Sequence, residues 1–194
     1  MDTMTKFAPK QFITKNGIEF SIRSAHAEDG ESVLKFGKQI MKDSGKFVLT
    51  MPEELNLTVS EEAQWLKNME DSPSNIALLA ESQSEIIGFL DFSAGRRQRI
   101  AHTGEFGMSV KREYRRSGIG SALLDSLIEW TKSNPKIEKI NLQVHATNDR
   151  AISLYKSKGF VIEGTRRAEL KYGEDHYVDS ILMAKWVKTD NLNL

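Results

Sequence analysis

The stretch that decides the fold is Met108–Leu124, with the sequence MSVKREYRRSGIGSALL. Apolar and polar residues alternate from Gly104 to Val110, which predicts a strand running into this stretch. Apolar residues then recur at helical spacing, at Leu123, Leu124, Leu127, Ile128 and Trp130. A strand, a basic turn and a helix therefore follow one another. Because the free N–H groups and the dipole of a helix's first turn bind phosphate oxygens, we expect an anion site here.

Two glycines, Gly118 and Gly120, lie in this turn, and other phosphate-binding loops also contain glycines. A P-loop would end in Gly-Lys-Ser/Thr, which is missing, and Leu123 stands where a dinucleotide-binding fingerprint has its third glycine. Neither motif fits. A plainer interpretation stays open, in which the glycines only permit a tight turn between strand and helix. The turn alone does not decide between these two interpretations.

The surroundings of the turn carry a resemblance to a known family. The pattern Arg115-x-x-Gly118-x-Gly120, preceded by Val110 and Tyr114, resembles the acetyl-CoA loop of the GNAT superfamily of N-acetyltransferases. A second motif of that family follows at the expected interval in NDRAISLYKSKGF, residues 148–160. The closing GEDHYVD, residues 173–179, resembles the last hairpin of bacterial members that acetylate L-amino acids or phosphinothricin-like compounds.

The resemblance covers residues 18–186 in element order and residues 104–160 in diagnostic letters. It implies an α/β (α+β) GNAT fold: a single mixed, mostly antiparallel, splayed sheet of six to seven strands with about four helices on its faces. The residue pattern predicts strands at 18–22, 76–80, 86–93, 104–110, 140–144, 160–163 and 177–186, and helices at 27–41, 60–69, from 118 to 134, and 149–158. We expect a tail over residues 1–15 and one domain over 16–190. Residues 49–58 are a substrate loop or a plain helix connector.

Composition excludes several functions. Lys plus Arg and Asp plus Glu both total 27, so no net charge draws the protein to nucleic acid. The chain has no cysteine, which excludes disulfides, thiolate zinc sites and a cysteine acyl-enzyme, so acyl transfer would be direct. The N-terminal residues lack the apolar segment of a signal peptide, and no apolar run is long enough to span a bilayer. We expect a cytoplasmic protein.

The resemblance also implies which residues bind acetyl-CoA, the expected co-substrate. The main chain of the strand before the turn would receive the pantetheine arm and polarise the thioester carbonyl, at Met108, Ser109 and Val110. The pyrophosphate would lie on the turn and the helix start, at Arg115, Arg116, Ser117, Gly118, Ile119, Gly120 and Ser121. Asn148 would bind the pantetheine or order the splayed strands, although Asn is also a favoured N-cap residue. Ala151 would also contact the cofactor.

Two residues are candidates for catalysis. Tyr155 would also contact the cofactor, and its phenol could return a proton to the departing thiolate. Glu105 could take the proton that the amine loses, directly or through water. Each has a plainer interpretation, Tyr155 as a half-buried aromatic and Glu105 as a solvent-facing strand carboxylate. His102, His145 and His176 are too scattered to predict a metal site, and no metal is expected.

The expected function is transfer of the acetyl group of acetyl-CoA to a primary amine by direct attack in a ternary complex. The acceptor would be a small molecule such as an amino acid. Two alternatives stay open: a protein N-terminal acetyltransferase of the ribosomal-protein type, and a coenzyme A binding module without catalysis. We expect a small-molecule amine as partner, no nucleic acid and no membrane, and leave a homodimer open.

Overall fold

A computed structural model describes residues 6–44 and 47–188. They form a single sheet of eight strands in the order β1-β2-β3-β4-β5-β6-β8-β7, with helices on both faces. The strands are β1 (Lys10–Ile13), β2 (Glu19–Ser24), β3 (Ile76–Ser82), β4 (Glu85–Ala94), β5 (Thr103–Val110), β6 (Lys139–His145), β7 (Val161–Gly173) and β8 (His176–Trp186). The α-helices are α1 (Gly30–Ser44), α2 (Val59–Asp71), α3 (Ile119–Ser133) and α4 (Asp149–Ser157).

The predicted fold class is confirmed. All neighbouring strands run antiparallel except β5 and β6, which are parallel, so the sheet is mixed and mostly antiparallel. The described part of the chain has four α-helices, as expected, and eight strands instead of six to seven.

The extra strand lies in the segment predicted as a tail. Lys10–Ile13 pairs antiparallel with β2 at the edge of the sheet, so the tail prediction is wrong for these residues. Phe12 stacks on Phe20 with ring centroids 5.3 Å apart, and Phe7 is buried. Four residues are too few to show a clear alternation, which is why the sequence pattern missed this strand. We propose that the domain begins before residue 16.

Two apolar layers hold the helices on the sheet. One face packs on α3 and α4 through a core that includes Leu123, Leu127 and Ile152. The other face packs on α1 and α2 through a core that includes Phe36 and Leu66. Since successive side chains of a strand point to opposite faces, β3 and β4 contribute to both layers, with Leu78 and Leu90 in the first and Leu79 and Phe89 in the second.

Strands β5 and β6 pair only where they begin. Thr103, Gly104 and Glu105 are opposite Lys139, Ile140 and Asn141, and from Phe106 onward the two strands separate. A Cβ at Gly104 would lie 2.2 Å from Cζ of Phe92, so only glycine fits at this point. The predicted splay is confirmed, and it leaves a wedge-shaped opening in the middle of the sheet.

Candidate active site

A cleft of about 1260 Å³ runs through the wedge between β5 and β6. Its walls come from β4, β5, β6, the starts of α3 and α4, and the segment Phe47–Leu49. The cleft gathers most of the predicted site residues: Glu105, Met108, Ser109, Val110, Arg115, Arg116, Gly118, Gly120, Ser121, Asn148, Ala151 and Tyr155. Residues separated by up to 50 positions in sequence thus share one surface. Among the described side chains of residues 49–58, Leu49 lines it.

Two predicted site residues have side chains outside the cleft. The side chain of Ile119 is 1% exposed and belongs to the apolar core under α3. Ser117 is buried and its hydroxyl donates a hydrogen bond to the carbonyl oxygen of Tyr114 at 2.5 Å. Any contact of these two residues with a ligand would therefore be made by the main chain.

The main chain of β5 exposes alternate residues to the wedge. Lys111 N–H donates to the Ile87 carbonyl, and the Thr103 carbonyl accepts from Gly95, so the peptide groups of these odd-numbered residues point toward β4. Because peptide groups alternate along a strand, those of Met108 and Val110 point into the opening. The Val110 carbonyl already accepts a hydrogen bond from Arg115 Nε at 3.0 Å. Ser109 lines the cleft, but its peptide groups point to β4.

The turn before α3 presents unpaired N–H groups at one end of the cleft. Gly118 caps the helix with φ of +104° and Arg116 has φ of +69°, both in the left-handed region. The first helical hydrogen bond runs from Ala122 N–H to the Gly118 carbonyl. The N–H groups of Ile119, Gly120 and Ser121 precede it and have no partner in the helix. These N–H groups lie where the sequence predicts an anion site, and that site stays a prediction.

The two glycines of the turn serve different needs. Gly118 is required by its backbone, because a φ of +104° strains any residue with a side chain. Gly120 has an ordinary helical position, and an added Cβ would meet only Met108 Cε at 3.6 Å, Leu154 Cδ2 at 3.7 Å and Val110 Cγ2 at 3.8 Å. The protein alone therefore does not require a glycine at position 120. The tight-turn interpretation holds for Gly118 but does not explain Gly120.

Positive charge collects around this turn. Partial burial, and then the charges of Arg116 and Arg115, lower the pKa of the Arg150 guanidinium. All three side chains line the cleft, and Arg150 lies in the first turn of α4. A cation at a helix N-terminus is electrostatically unfavourable, so this cluster would be relieved by a bound anion. Arg150 was not predicted as a site residue, although an arginine in a first helical turn was a usable signal.

Tyr155 lies on α4, on the face of the sheet that packs on α3. Its ring contacts Phe106 and Phe160 with centroids 5.7 Å and 6.0 Å away, which fixes its position at the cleft wall. Burial raises the pKa of the Tyr155 phenol to about 12. The hydroxyl is therefore protonated at neutral pH and able to donate. The Asn148 side chain caps the same helix by accepting from Ala151 N–H at 3.2 Å, so the N-cap interpretation is confirmed.

The opposite face of the sheet is acidic where it borders the cleft. Glu105 is exposed there on β5, and Asp91 lies on β4 opposite Gly107. Burial raises the pKa of the Asp91 carboxyl to about 6. Burial and then the Asp91 charge raise the pKa of Glu62 on α2. Asp91 was not predicted as a site residue. Its place beside the cleft depends on which strands lie next to β4, and the sequence pattern does not give the order of the strands.

Aromatic side chains also line the cleft. The ring of Phe47 contacts the ring of His145 edge-on, with centroids 5.7 Å apart. His145 is buried on β6 and its Nδ1 is 2.7 Å from the hydroxyl of Tyr172 on β7. His145 is therefore a packed, structural histidine that also forms part of the cleft wall. Among residues 6–44 and 47–188, no group of three acidic, histidine or cysteine side chains could hold a metal ion.

Comparison with known proteins identifies the family. Residues 47–160 match the family model described as the acetyltransferase (GNAT) family, which is more than half of the chain. The chain belongs to the GNAT family. The predicted family is thereby confirmed, as is the activity class: the protein is an acetyl-CoA-dependent N-acetyltransferase.

Individual GNAT relatives differ in their acceptors. The chain is 30% identical over 168 residues to the L-amino acid N-acetyltransferase AaaT of Escherichia coli, covering 86% of this chain and 98% of the relative. It is 27% identical over 172 residues to an N-alpha-acetyltransferase of Sulfurisphaera tokodaii, covering 84% and 93%. An acetyltransferase of the GNAT family from Streptococcus pneumoniae superposes with a TM-score of 0.83 at 28% identity, covering 87% and 99%.

Other expectations about this GNAT protein stay predictions of the sequence: the cytoplasmic location, the homodimer, and the absence of metal, nucleic-acid and membrane partners. Within the described residues, no helix combines the length and apolarity needed to cross a bilayer.

Proposed function

We propose that the protein acetylates the primary amine of a small molecule such as an amino acid, by direct attack on acetyl-CoA in a ternary complex. The observation that carries this proposal is the cleft through the sheet. Its basic end at the start of α3 suits a pyrophosphate, and its acidic end on the other face suits an amine. The wedge between β5 and β6 joins the two ends. The relative named as an L-amino acid N-acetyltransferase supports this choice of acceptor.

In this proposal the cofactor binds along the α3 and α4 face. The pyrophosphate accepts hydrogen bonds from the N–H groups of Ile119, Gly120 and Ser121, and Arg115, Arg116 and Arg150 balance its charge. The pantetheine enters the wedge, where the main chain of Met108 and Val110 is available, and passes Asn148 and Ala151. The acetyl group then lies in the opening between the two faces.

The reaction proceeds without an acetyl-enzyme. Glu105 accepts a proton from the acceptor ammonium, and the neutral amine attacks the thioester carbon. N–H groups of the wedge, at Met108 and Val110, stabilise the oxyanion. The C–S bond then breaks as Tyr155 donates its hydroxyl proton to the departing sulfur, and the nitrogen passes its second proton through water to the Tyr155 phenolate, which restores the phenol. Positioning and oxyanion stabilisation supply most of the acceleration.

The second candidate is acetylation of a protein N-terminus, which the N-alpha-acetyltransferase relative supports. The contact between Phe47 and His145 supports the small acceptor, because two rings packed together in the cleft wall leave less room for a peptide. A coenzyme A binding module without catalysis is the third candidate. A protein that only binds coenzyme A would not need a protonated phenol on one side of the wedge and two carboxylates on the other.

The test is a panel of acceptors with acetyl-CoA: L-amino acids, simple amines and peptides with free N-termini. Thiol release is followed with a disulfide dye, to which the protein contributes no background because it has no cysteine. We expect the largest kcat/KM for a small amine. Activity on peptides alone would favour the second candidate, and failure of every acceptor in a protein that binds acetyl-CoA would favour the third.

A further inference from the structure

Asp91 occupies a recess on the acceptor side of the sheet. It lies on β4 between Ala77 of β3 and Gly107 of β5, and lines the cleft. A Cβ at position 107 would lie 3.1 Å from Asp91 Oδ1. The two neighbours on the same face are thus an alanine and a glycine, which leave the carboxylate open toward the cleft.

The carboxylate has no counter-ion in the described part of the chain. No Lys, Arg or His side chain of residues 6–44 and 47–188 forms an ion pair with Asp91. The charged groups around it are acidic: Glu62 on α2, and Glu105 two residues along β5 from Gly107. Helix α1 packs beside it through apolar contacts such as Phe36 with Phe89. A buried carboxylate without a cation is costly, so the recess favours a positively charged ligand.

The recess is close to the opening of the sheet. Asp91 is opposite Gly107, the residue directly before Met108, whose main chain points into the wedge. Glu105 is two residues away along β5 on the same face, a separation of about 7 Å along the strand. One ammonium group between the two strands can therefore face both carboxylates.

We propose that Asp91 binds the ammonium group of the acceptor and orients it for attack through the wedge, while Glu105 takes the proton. This inference rests on the proposed function and names the acceptor as a cationic primary amine. Asp91 acts by holding the charge of the acceptor, so its contribution appears in acceptor binding and not in cofactor binding. The absence of a side chain at Gly107 lets the Asp91 carboxylate lie over β5, next to the wedge.

The experiment compares Asp91→Asn with wild type on an amine that the panel identifies. We expect the KM for the amine to rise about 30-fold or more, as when one partner of a buried charge pair is truncated. The Kd for acetyl-CoA should stay within about twofold. Gly107→Ala, which places a methyl group against Oδ1, should also raise the acceptor KM. Ser93→Ala, one step further along the same face of β4, is the matched control and should change neither constant.

Two further readouts separate this role from a structural one. Burial raises the pKa of Asp91, so its ionised form weakens the folded protein as pH rises from about 4 through 6. Asp91→Asn should therefore raise Tm at pH 7.5, by about 5 °C, whereas loss of a structural ion pair would lower it. In wild type, kcat/KM for the amine should fall below about pH 6, as Asp91 becomes protonated.

An unchanged acceptor KM in Asp91→Asn would overturn the inference while leaving the proposed function intact. If the panel shows no turnover, the same amines are titrated into the complex with coenzyme A by calorimetry. Amine binding that Asp91→Asn abolishes would then support the inference although the proposed function fails. Amine binding that is unchanged in Asp91→Asn, or no amine binding to either protein, would overturn both the inference and the proposed function.

Discussion

Replacing Tyr155 by phenylalanine is expected to lower kcat about 100-fold or more, the range for loss of a general acid. The substitution removes only the hydroxyl and keeps the ring that packs on Phe106 and Phe160. The KM for acetyl-CoA should therefore stay within about twofold. Because burial holds the pKa of Tyr155 at about 12, the phenol of the free enzyme should cause no fall in activity between pH 7 and 10.

The matched control for this prediction is Tyr114→Phe. Tyr114 also lines the cleft but lies in the turn before α3, away from the wedge. We expect nearly unchanged kcat for this variant. Equal kcat values for Tyr155→Phe and wild type would show that Tyr155 is an ordinary packed aromatic, and another donor or solvent would have to protonate the sulfur.

Replacing Gly120 by alanine is expected to raise the KM for acetyl-CoA about tenfold without lowering stability. The added methyl group would make only ordinary contacts with protein atoms at 3.6 to 3.8 Å, and alanine favours helix over glycine by up to about 1 kcal/mol. The same methyl group would stand on the cleft floor, between Met108 and Leu154, where the proposal places the cofactor. The measurements are KM for acetyl-CoA and Tm of the free protein.

Gly118→Ala is the matched comparison. Its φ of +104° makes alanine strained by about 1 to 2 kcal/mol, so this variant should lower Tm. Comparing the two variants thus distinguishes the glycine that the backbone turn requires from the glycine that lies next to the proposed cofactor site. If Gly120→Ala binds acetyl-CoA as well as wild type does, the cofactor does not approach this part of the helix, and the proposed path through the cleft is wrong.

The parts of the fold that could be predicted from the sequence are those with a strong local signal. The start of α3 combines a glycine with a required positive φ, a basic turn and a periodic apolar face, and the structure has a helix N-terminus with free N–H groups there. The N-cap of α4 at Asn148 and the glycine that follows the helix, Gly159, are also local features, and both belong to the second motif. In each case the chemistry and the backbone geometry depend on residues close together in the chain.

The edges of the sheet could not be predicted in the same way. Strand β7 extends over Val161–Gly173. Only residues 160–163 were predicted as strand, because nearly all side chains of β7 are exposed. An exposed edge has no alternation of apolar residues to recognise, and here Ala168 with φ of +50° also interrupts the pattern. Its position is held by pairing with β8 and by Asp179, which accepts a hydrogen bond from Ala168 N–H.

The residues on the acceptor side of the site were the hardest to predict from the sequence. Asp91 acquires its environment from Gly107, Ala77 and Glu62, which come from three other elements. Phe47 and His145 are nearly 100 residues apart, and their contact depends on how the segment after α1 crosses the end of β6. Such contacts depend on tertiary packing, so no motif of fixed spacing could reveal them.

Direct transfer in a ternary complex is the central claim, and the initial-rate pattern tests it most directly. Rates would be measured while acetyl-CoA and the amine are varied together, and the intact mass of the protein would be recorded during turnover with acetyl-CoA alone. We predict double-reciprocal lines that intersect and a protein that gains no acetyl group. Parallel lines together with an acetylated protein that passes its acetyl group to the amine would contradict the account.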